Sequence, residues 1–515
     1  MKNTVDFSGR PFHFIGIGGI GMSALAYVLA QRQLPVSGSD IRPSHITERL
    51  QELGAHIFRE QDATNLQFFL PTVEPASESL QPVTVGVGAK NKNVKKTEQS
   101  LKLEPKSNLE TGSAALPQVI CSTAINTTNF EYRAALELGC PIFHRSDVLA
   151  ALIQDYQSIA VAGTHGKTTT SSMIGYVLLM AGLDPTIVVG GEVKAWEGNA
   201  RLGQGAYLVA EADESDGSLV KFSPQIGVVT NIELDHPDHY ESLEQVINTF
   251  EIFASRCQIV VGCVDSPAVR SRIKPQITYS LNQDAGADYT AKEVVYLADG
   301  ITAQIWERGA ILGQLNLPLL GQHNLSNALA AVAVGRHLGL EFEAIAEAFA
   351  TFAGAKRRFE LRGEVNNIRF IDDYAHHPSE IRATLAAARQ NSPNQRIVAI
   401  FQPHRYSRTL SLLADFAQCF NDADLVVITE IYSAGEPNNG LVNGQQVAQE
   451  IAAYNPQVVY KPSLRSIVEF LEETLRPNDM ALFLGAGNLN QVIPELMANF
   501  EASQKDALGE YPCRV

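Results

Sequence analysis

SIAVAGTHGKTTTSSMIGYVLLMAG, residues 158–182, decides the fold. An apolar run from Ile159 to Ala162 ends in Gly163-Thr164-His165-Gly166-Lys167-Thr168-Thr169, and an apolar helical pattern begins at once. A strand that feeds a helix through a glycine turn aims backbone N–H groups and the positive helix end, about half an elementary charge, at one spot where phosphate oxygens can sit. Lys167 is placed to reach the outer phosphates and Thr168 to offer its hydroxyl to Mg2+. The full Walker spacing, GxxxxGK[ST], requires glycine where Val161 stands, so the turn is a shortened variant. On these residues alone, a plain strand-to-helix turn is the competing account.

Residues downstream narrow the choice. AYLVAEADESDGS puts Glu211, Asp213, Glu214 and Asp216 beyond one strand end, and IGVVTNIELDHPDHY puts Glu233, Asp235, His236 and His239 beyond the next. Ligands of open α/β sheets bind at the carboxyl ends of strands, so the lysine turn and both acidic stretches are expected around one cleft. Carboxylate and hydroxyl oxygens suit magnesium. Solvated loop or cap positions remain the plainer account of Asp213, Glu214, Asp216 and Glu233 taken singly. HPDH lacks the helical HExxH arrangement of a zinc site.

Upstream, HFIGIGGIGMSALA at 13–26 carries Gly16, Gly18 and Gly21 in GxGxxG spacing, with Gly19 between them. The pattern fits a pyrophosphate on a helix amino terminus, and Asp40, after the second strand, would be the ribose acceptor of a dehydrogenase.

Three stretches of the carboxyl-terminal part also look chemical. In GQHNLSNA, His323 and Asn324 can meet a nucleobase, helix capping by Asn324 being the alternative. AKRRFE offers Lys356, Arg357 and Arg358 as cations for a transferring phosphoryl group, or is an exposed basic turn. FIDDYAHHPSE and FQPHRYSRT each follow a strand; Arg405 and Arg408 can clamp a substrate carboxylate, which makes an amino acid a plausible guest, or form ordinary ion pairs.

At 515 residues the chain predicts about three domains. Apolar runs such as FHFIGI, QVICST, SIAVAG, YLVAEA, IVAIFQ and MALFLG alternate with helical stretches, the α/β pattern of parallel sheets with crossover helices. Boundaries fall near 155 and 354, giving units 1–155, 156–353 and 354–515. Residues 72–118, rich in Ser, Pro, Lys, Glu and Asn, predict a flexible surface insertion. No apolar run approaches the ~20 residues of a membrane span, and no export segment is apparent, so a soluble cytoplasmic protein is expected. A net charge of -16 argues against nucleic-acid or anionic-membrane binding. The six cysteines form no CxxC pair, which argues against a disulfide framework or thiolate zinc site.

With GTHGKTTT, EADESD, NIELDH, GQHNLSNA, AKRRF, DDYAHHPSE and FQPHRYSRT in order, the chain resembles the Mur ligases of peptidoglycan synthesis, from about residue 12 to about 495. The resemblance implies three α/β domains: a Rossmann-like amino-terminal one, a P-loop ATPase-like central one and a Rossmann-like carboxyl-terminal one. It implies an ATP-dependent, Mg2+-requiring ligase, most similar to members that join L-alanine to the lactyl carboxylate of UDP-N-acetylmuramate through an acyl phosphate. A sister activity, attaching a preformed peptide to the same sugar nucleotide in wall recycling, stays open. The glycine turn (Gly16, Gly18, Gly19, Gly21) would then receive the UDP-sugar, with Asp40, Ser122 and Arg145 nearby. Residues 163–169 with His323 and Asn324 would hold ATP, and Thr168, Glu211 and His236 the metal. Lys167, Glu211, His236, Arg358 and Asp373 would be catalytic, with Tyr374, His376, Arg405 and Arg408 as the amino-acid site. The expected assembly is a monomer or homodimer.

Overall fold

The computed structural model describes residues 4–70 and 116–509. The expected insertion at 72–118 lies outside them, apart from its last three residues; Gln118 already opens a strand.

Three sheets follow one another along the chain. The first has five parallel strands, ordered His56–Phe58, Val36–Ser39, Phe12–Ile15, Gln118–Cys121, Ile142–His144. Its central strand is covered on both faces. Phe12 and Phe14 pack with Leu25, Val28 and Leu149, while Ile15 packs with Leu66 and Val119, so FHFI reads as an unbroken buried run.

The second sheet has ten strands. Its parallel middle includes Ile226–Val229, Gln157–Ala162 and Tyr207–Glu211 as neighbours, which brings the turn at Gly163, the carboxylate of Glu211 and the loop from Thr230 to the same sheet edge. Antiparallel strands are added at the margins of this parallel core. Gly300–Glu307 and Ala310–Leu317 extend the sheet antiparallel, and Gly198–Arg201 pairs antiparallel with Thr186–Val193 at the other side. Arg308 and Gly309, both at positive φ (48° and 85°), form the two-residue turn that matches strand twist in a hairpin.

The third sheet has six strands, five of them parallel; Glu360–Val365 folds back antiparallel on Ile368–Asp373 through Asn366 and Asn367, again both at positive φ. The connector is held to the second sheet as far as Lys356, whose N–H donates to the Glu192 carbonyl at 2.8 Å. Among the described residues the cysteines are free and mostly buried, and no helix is long and apolar enough to cross a membrane.

Candidate active site

The lysine turn is moulded by residues that carry no charge. The Asn231 side chain grips His165 at both backbone groups: its Oδ1 accepts from the His165 N–H at 2.9 Å and its Nδ2 donates to the His165 carbonyl at 3.1 Å. Thr230 Oγ1 donates to the same carbonyl at 2.6 Å. Gly166 stands at φ 80°, and a Cβ there would lie 2.6 Å from Asn327 Oδ1. Helix Lys167–Met180 begins with no side-chain cap, so its first N–H groups stay available to an anion. Thr230, Asn231 and Asn327 escaped the sequence reading although all three lie in motif-bearing stretches; an uncharged hydroxyl or amide gives no separate signal.

Lys167 Nζ donates to the carbonyls of Gly163 (2.7 Å) and Thr164 (3.1 Å) and lies 2.9 Å from the Glu214 carboxylate. Burial disfavours the ammonium, but Glu214 and Asp213 outweigh it and raise the lysine pKa. Burial pushes Glu214 up to about 7 in spite of Lys167. Asp213 is desolvated too, yet Lys167 and Arg145 hold it well below the usual carboxylate range. Glu214, 1% exposed, is therefore not the solvated loop carboxylate that its sequence position suggests.

Of the three residues expected around the metal, Thr168 and Glu211 touch: Thr168 Oγ1 donates to Glu211 Oε1 at 3.1 Å, and the other Glu211 oxygen accepts from the Gly190 N–H at 2.6 Å. His236 groups instead with Asp213 and Glu214, their donor atoms all within 4.8 Å of one another. Glu214 is buried there with both carboxylate oxygens 2.9 Å from Lys167 Nζ. Carboxylate oxygens of Glu211, Asp213 and Glu214 with the Thr168 hydroxyl are the hard donors that fit a divalent cation such as Mg2+.

In the first sheet, Gly16 (φ 82°) lets two successive N–H groups, of Gly16 and Ile17, donate to the Ser39 carbonyl. The Gly18 N–H donates to Asp40 Oδ2 at 2.8 Å, so Asp40 sits directly on the glycine turn. Arg145 Nη1 lies 3.5 Å from where a Gly21 Cβ would be, and its other terminal nitrogen reaches Asp213 (3.0 Å) and Asp216 (3.2 Å). One guanidinium thus joins the glycine turn to the acidic stretch of the second sheet. Ser122 opens the loop after the adjoining strand.

Asp373 ends a strand of the third sheet and accepts from the N–H groups of Phe359 (2.7 Å) and Ala375 (2.8 Å); burial pushes it up to about 6, against the pull of Arg358. Arg358 lies 5.3 Å from the Tyr374 ring centre. His376 Nδ1 donates to the Tyr374 carbonyl at 3.0 Å, which leaves Nε2 as the acceptor, and burial holds its pKa near 4. Both arginines expected to clamp a carboxylate already face carboxylates of the second domain: Arg405 reaches Asp238 at 2.6 Å, and Arg408 holds Asp235 with two nitrogens. Of the pair expected at a nucleobase, His323 is exposed, while Asn324 is buried and donates to the Leu320 carbonyl at 2.7 Å rather than capping its helix.

Family models match in three consecutive blocks: the Mur ligase family catalytic domain at 11–157, the Mur ligase middle domain at 161–335 and the Mur ligase glutamate ligase domain at 357–487. A UDP-N-acetylmuramate–L-alanine ligase of Nostoc punctiforme is 66% identical over 501 residues, covering 97% of this chain and 98% of the relative. One of Gloeothece citriformis is 62% identical over 97% of this chain and 99% of its own. Among solved structures, the UDP-N-acetylmuramate–alanine ligase of Thermotoga maritima aligns with a TM-score of 0.75 at 28% identity, over 96% of this chain and all of that one. A murein peptide ligase of Psychrobacter arcticus shares the fold at 23% identity and a TM-score of 0.65, over 96% of this chain and 99% of its own. Three domains in family order and near-complete coverage by close relatives agree: the chain belongs to the Mur ligase family.

Proposed function

We propose that this protein is an ATP-dependent ligase that joins L-alanine to the lactyl carboxylate of UDP-N-acetylmuramate through an acyl phosphate, in the cytoplasm. The observation that carries the reading is the identity of 58–66% with ligases of that name across almost the whole chain. The same relatives favour a free amino acid over a preformed peptide.

The chemistry sets two anions against each other, a carboxylate and a triphosphate, so cations must offset the charge of the transition state. The turn 163–169 and the start of helix Lys167–Met180 hold the phosphates. Lys167 moves from the Gly163 and Thr164 carbonyls to the phosphate oxygens, and Arg358 brings a second cation from the third domain. Thr168, Glu211 and His236 are the proposed Mg2+ ligands, with Asp213 and Glu214 close to His236; bound there, the ion supplies charge neutralisation and phosphate orientation. The glycine turn takes the UDP pyrophosphate on the helix end at Ile20, Asp40 holding the turn and Arg145 adding a cation beside it.

For the second step the amine must arrive without its proton. The Nε2 lone pair of His376 is in the correct state to accept it, because burial keeps the imidazole neutral at physiological pH. Arg405, about a third exposed, would exchange Asp238 for the alanine carboxylate, while Arg408 stays on Asp235 and braces the site. The test is isotopic: 18O in the lactyl carboxylate should appear in released phosphate, and release should require L-alanine. Phosphate without label, or release that requires a tripeptide instead, overturns the reading.

A further inference from the structure

We propose a second metal site, separate from the Mg2+ site, in which His165, Glu233 and His377 bind an imidazole-preferring divalent ion such as Zn2+ and tie the phosphate turn to the third domain. The ligand atoms all lie within 4.8 Å of one another. His165 Nε2 is 3.4 Å from Glu233 Oε2, and His377 Nδ1 is 4.0 Å from the same oxygen. Tetrahedral zinc with bonds of 2.0–2.1 Å sets its donors roughly 3.3 Å apart, so the two histidine nitrogens already stand within an ångström of that spacing from Glu233 Oε2 and have only their own separation, at most 4.8 Å, to close.

The outer partners strengthen the assignment. A metal-binding histidine usually donates its remote N–H to a carboxylate or a backbone carbonyl, which fixes the tautomer and turns the other lone pair toward the ion. Both kinds are present. His165 Nδ1 faces Glu380 Oε1 at 3.3 Å, and His377 Nε2 faces the Leu234 carbonyl at 3.3 Å. Glu233 Oε2 is oriented by the Ser379 hydroxyl at 2.7 Å. His165 Nε2 is buried without a hydrogen bond among the described residues. Glu233 is 43% exposed and provides the way in.

Two interactions compete. Ser379 N–H donates to His377 Nδ1 at 3.2 Å as a helix cap, and this long bond must be given up. Burial disfavours a charged His165, but Glu233 and Glu380 outweigh it and lift the pKa to about 9, so an entering ion displaces a proton. His165 belongs to the phosphate turn and His377 caps helix Pro378–Asn391 of the third domain. An ion between them restrains their separation.

The test uses the full-length chain in Mg2+ buffer, titrated with Co2+ and followed by the visible absorption of a four- or five-coordinate ion, then with Zn2+ by calorimetry. One ion is expected that excess Mg2+ does not displace. His377→Asn keeps a capping side chain and removes the ligand; Glu233→Gln removes the carboxylate. Each should weaken uptake by about tenfold or more, while His236→Ala leaves it in place. No absorption band, a band unchanged in His377→Asn and Glu233→Gln, or a band lost only in His236→Ala overturns the site.

Discussion

Arg408 of the third domain reaches Asp235 of the second with Nε at 2.7 Å and Nη2 at 3.3 Å, and both side chains are at most 5% exposed. The pair spans 173 residues of sequence and lies next to His236, whose Nδ1 is 3.5 Å from the same guanidinium. Removing one partner of such a pair leaves a buried charge uncompensated, which costs about 3–5 kcal/mol, whereas replacing both with apolar groups is often neutral. Asp235→Ala should therefore lower the thermal midpoint, and Asp235→Ala with Arg408→Met should recover most of the loss. Equal destabilisation of the single and double variants would contradict the pairing.

Lys167→Ala should reduce turnover by at least about a hundredfold, the scale on which charge-stabilising donors act. Among the described residues the hydrogen-bond partners of Lys167 (Gly163, Thr164 and Glu214) all belong to the second domain, so the dissociation constant for UDP-N-acetylmuramate should change little. Calorimetry with the sugar nucleotide alone separates the two effects; parallel loss of both would show that the sites do not act independently.

Gly18→Ala sets a methyl group 2.7 Å from Asp40 Oδ2, and the side chain can relieve this only by leaving the Gly18 N–H. A hydrogen bond to a charged acceptor contributes roughly 1.5–3 kcal/mol, so KM for the sugar nucleotide should rise by about tenfold or more with KM for ATP unchanged. Asp40→Ala loses the same bond. The double variant should be little worse than either single one, and additive losses would refute the mechanism.

The strands at the centre of each sheet were legible because burial on both faces writes them as apolar runs: Phe12–Ile15, Gln157–Ala162 and Asp479–Leu484 are buried at all or nearly all positions. Marginal strands such as Gly300–Glu307 alternate buried and half-buried residues and give no such run. The site was legible where it carries charge or a glycine turn. Partners were not: Arg405 and Arg408 announce a carboxylate, but only the fold shows that Asp238 and Asp235 already supply one. Asn231, whose amide sets the path of His165, has no charge to reveal it.

His376→Ala should cut kcat by about a hundredfold or more if the imidazole accepts the proton of the amine, since a general base contributes 10²–10⁴-fold. The acyl-phosphate step precedes that transfer, so 18O exchange into phosphate should outlast peptide-bond formation in the variant. A variant that loses exchange and product in equal measure would place His376 in the first step instead.

Asp373 allows a pH prediction whose sign follows from its burial. Its pKa is about 6 in the folded protein against 3.8 for a free side chain. The folded state thus holds a proton that the unfolded chain has released between these two values, and stability falls as pH rises from 3.8 through about 6. The full difference corresponds to ~3 kcal/mol at most. Asp373→Asn removes the titration, although it also replaces one acceptor of the Phe359 and Ala375 N–H groups with a donor. That second cost does not depend on pH. The variant should consequently gain on the wild type as pH rises from 4.5 to 7, whatever its absolute stability. Thermal midpoints of the two proteins across that range measure the slope directly, and parallel curves would mean that Asp373 ionises as an ordinary exposed aspartate does.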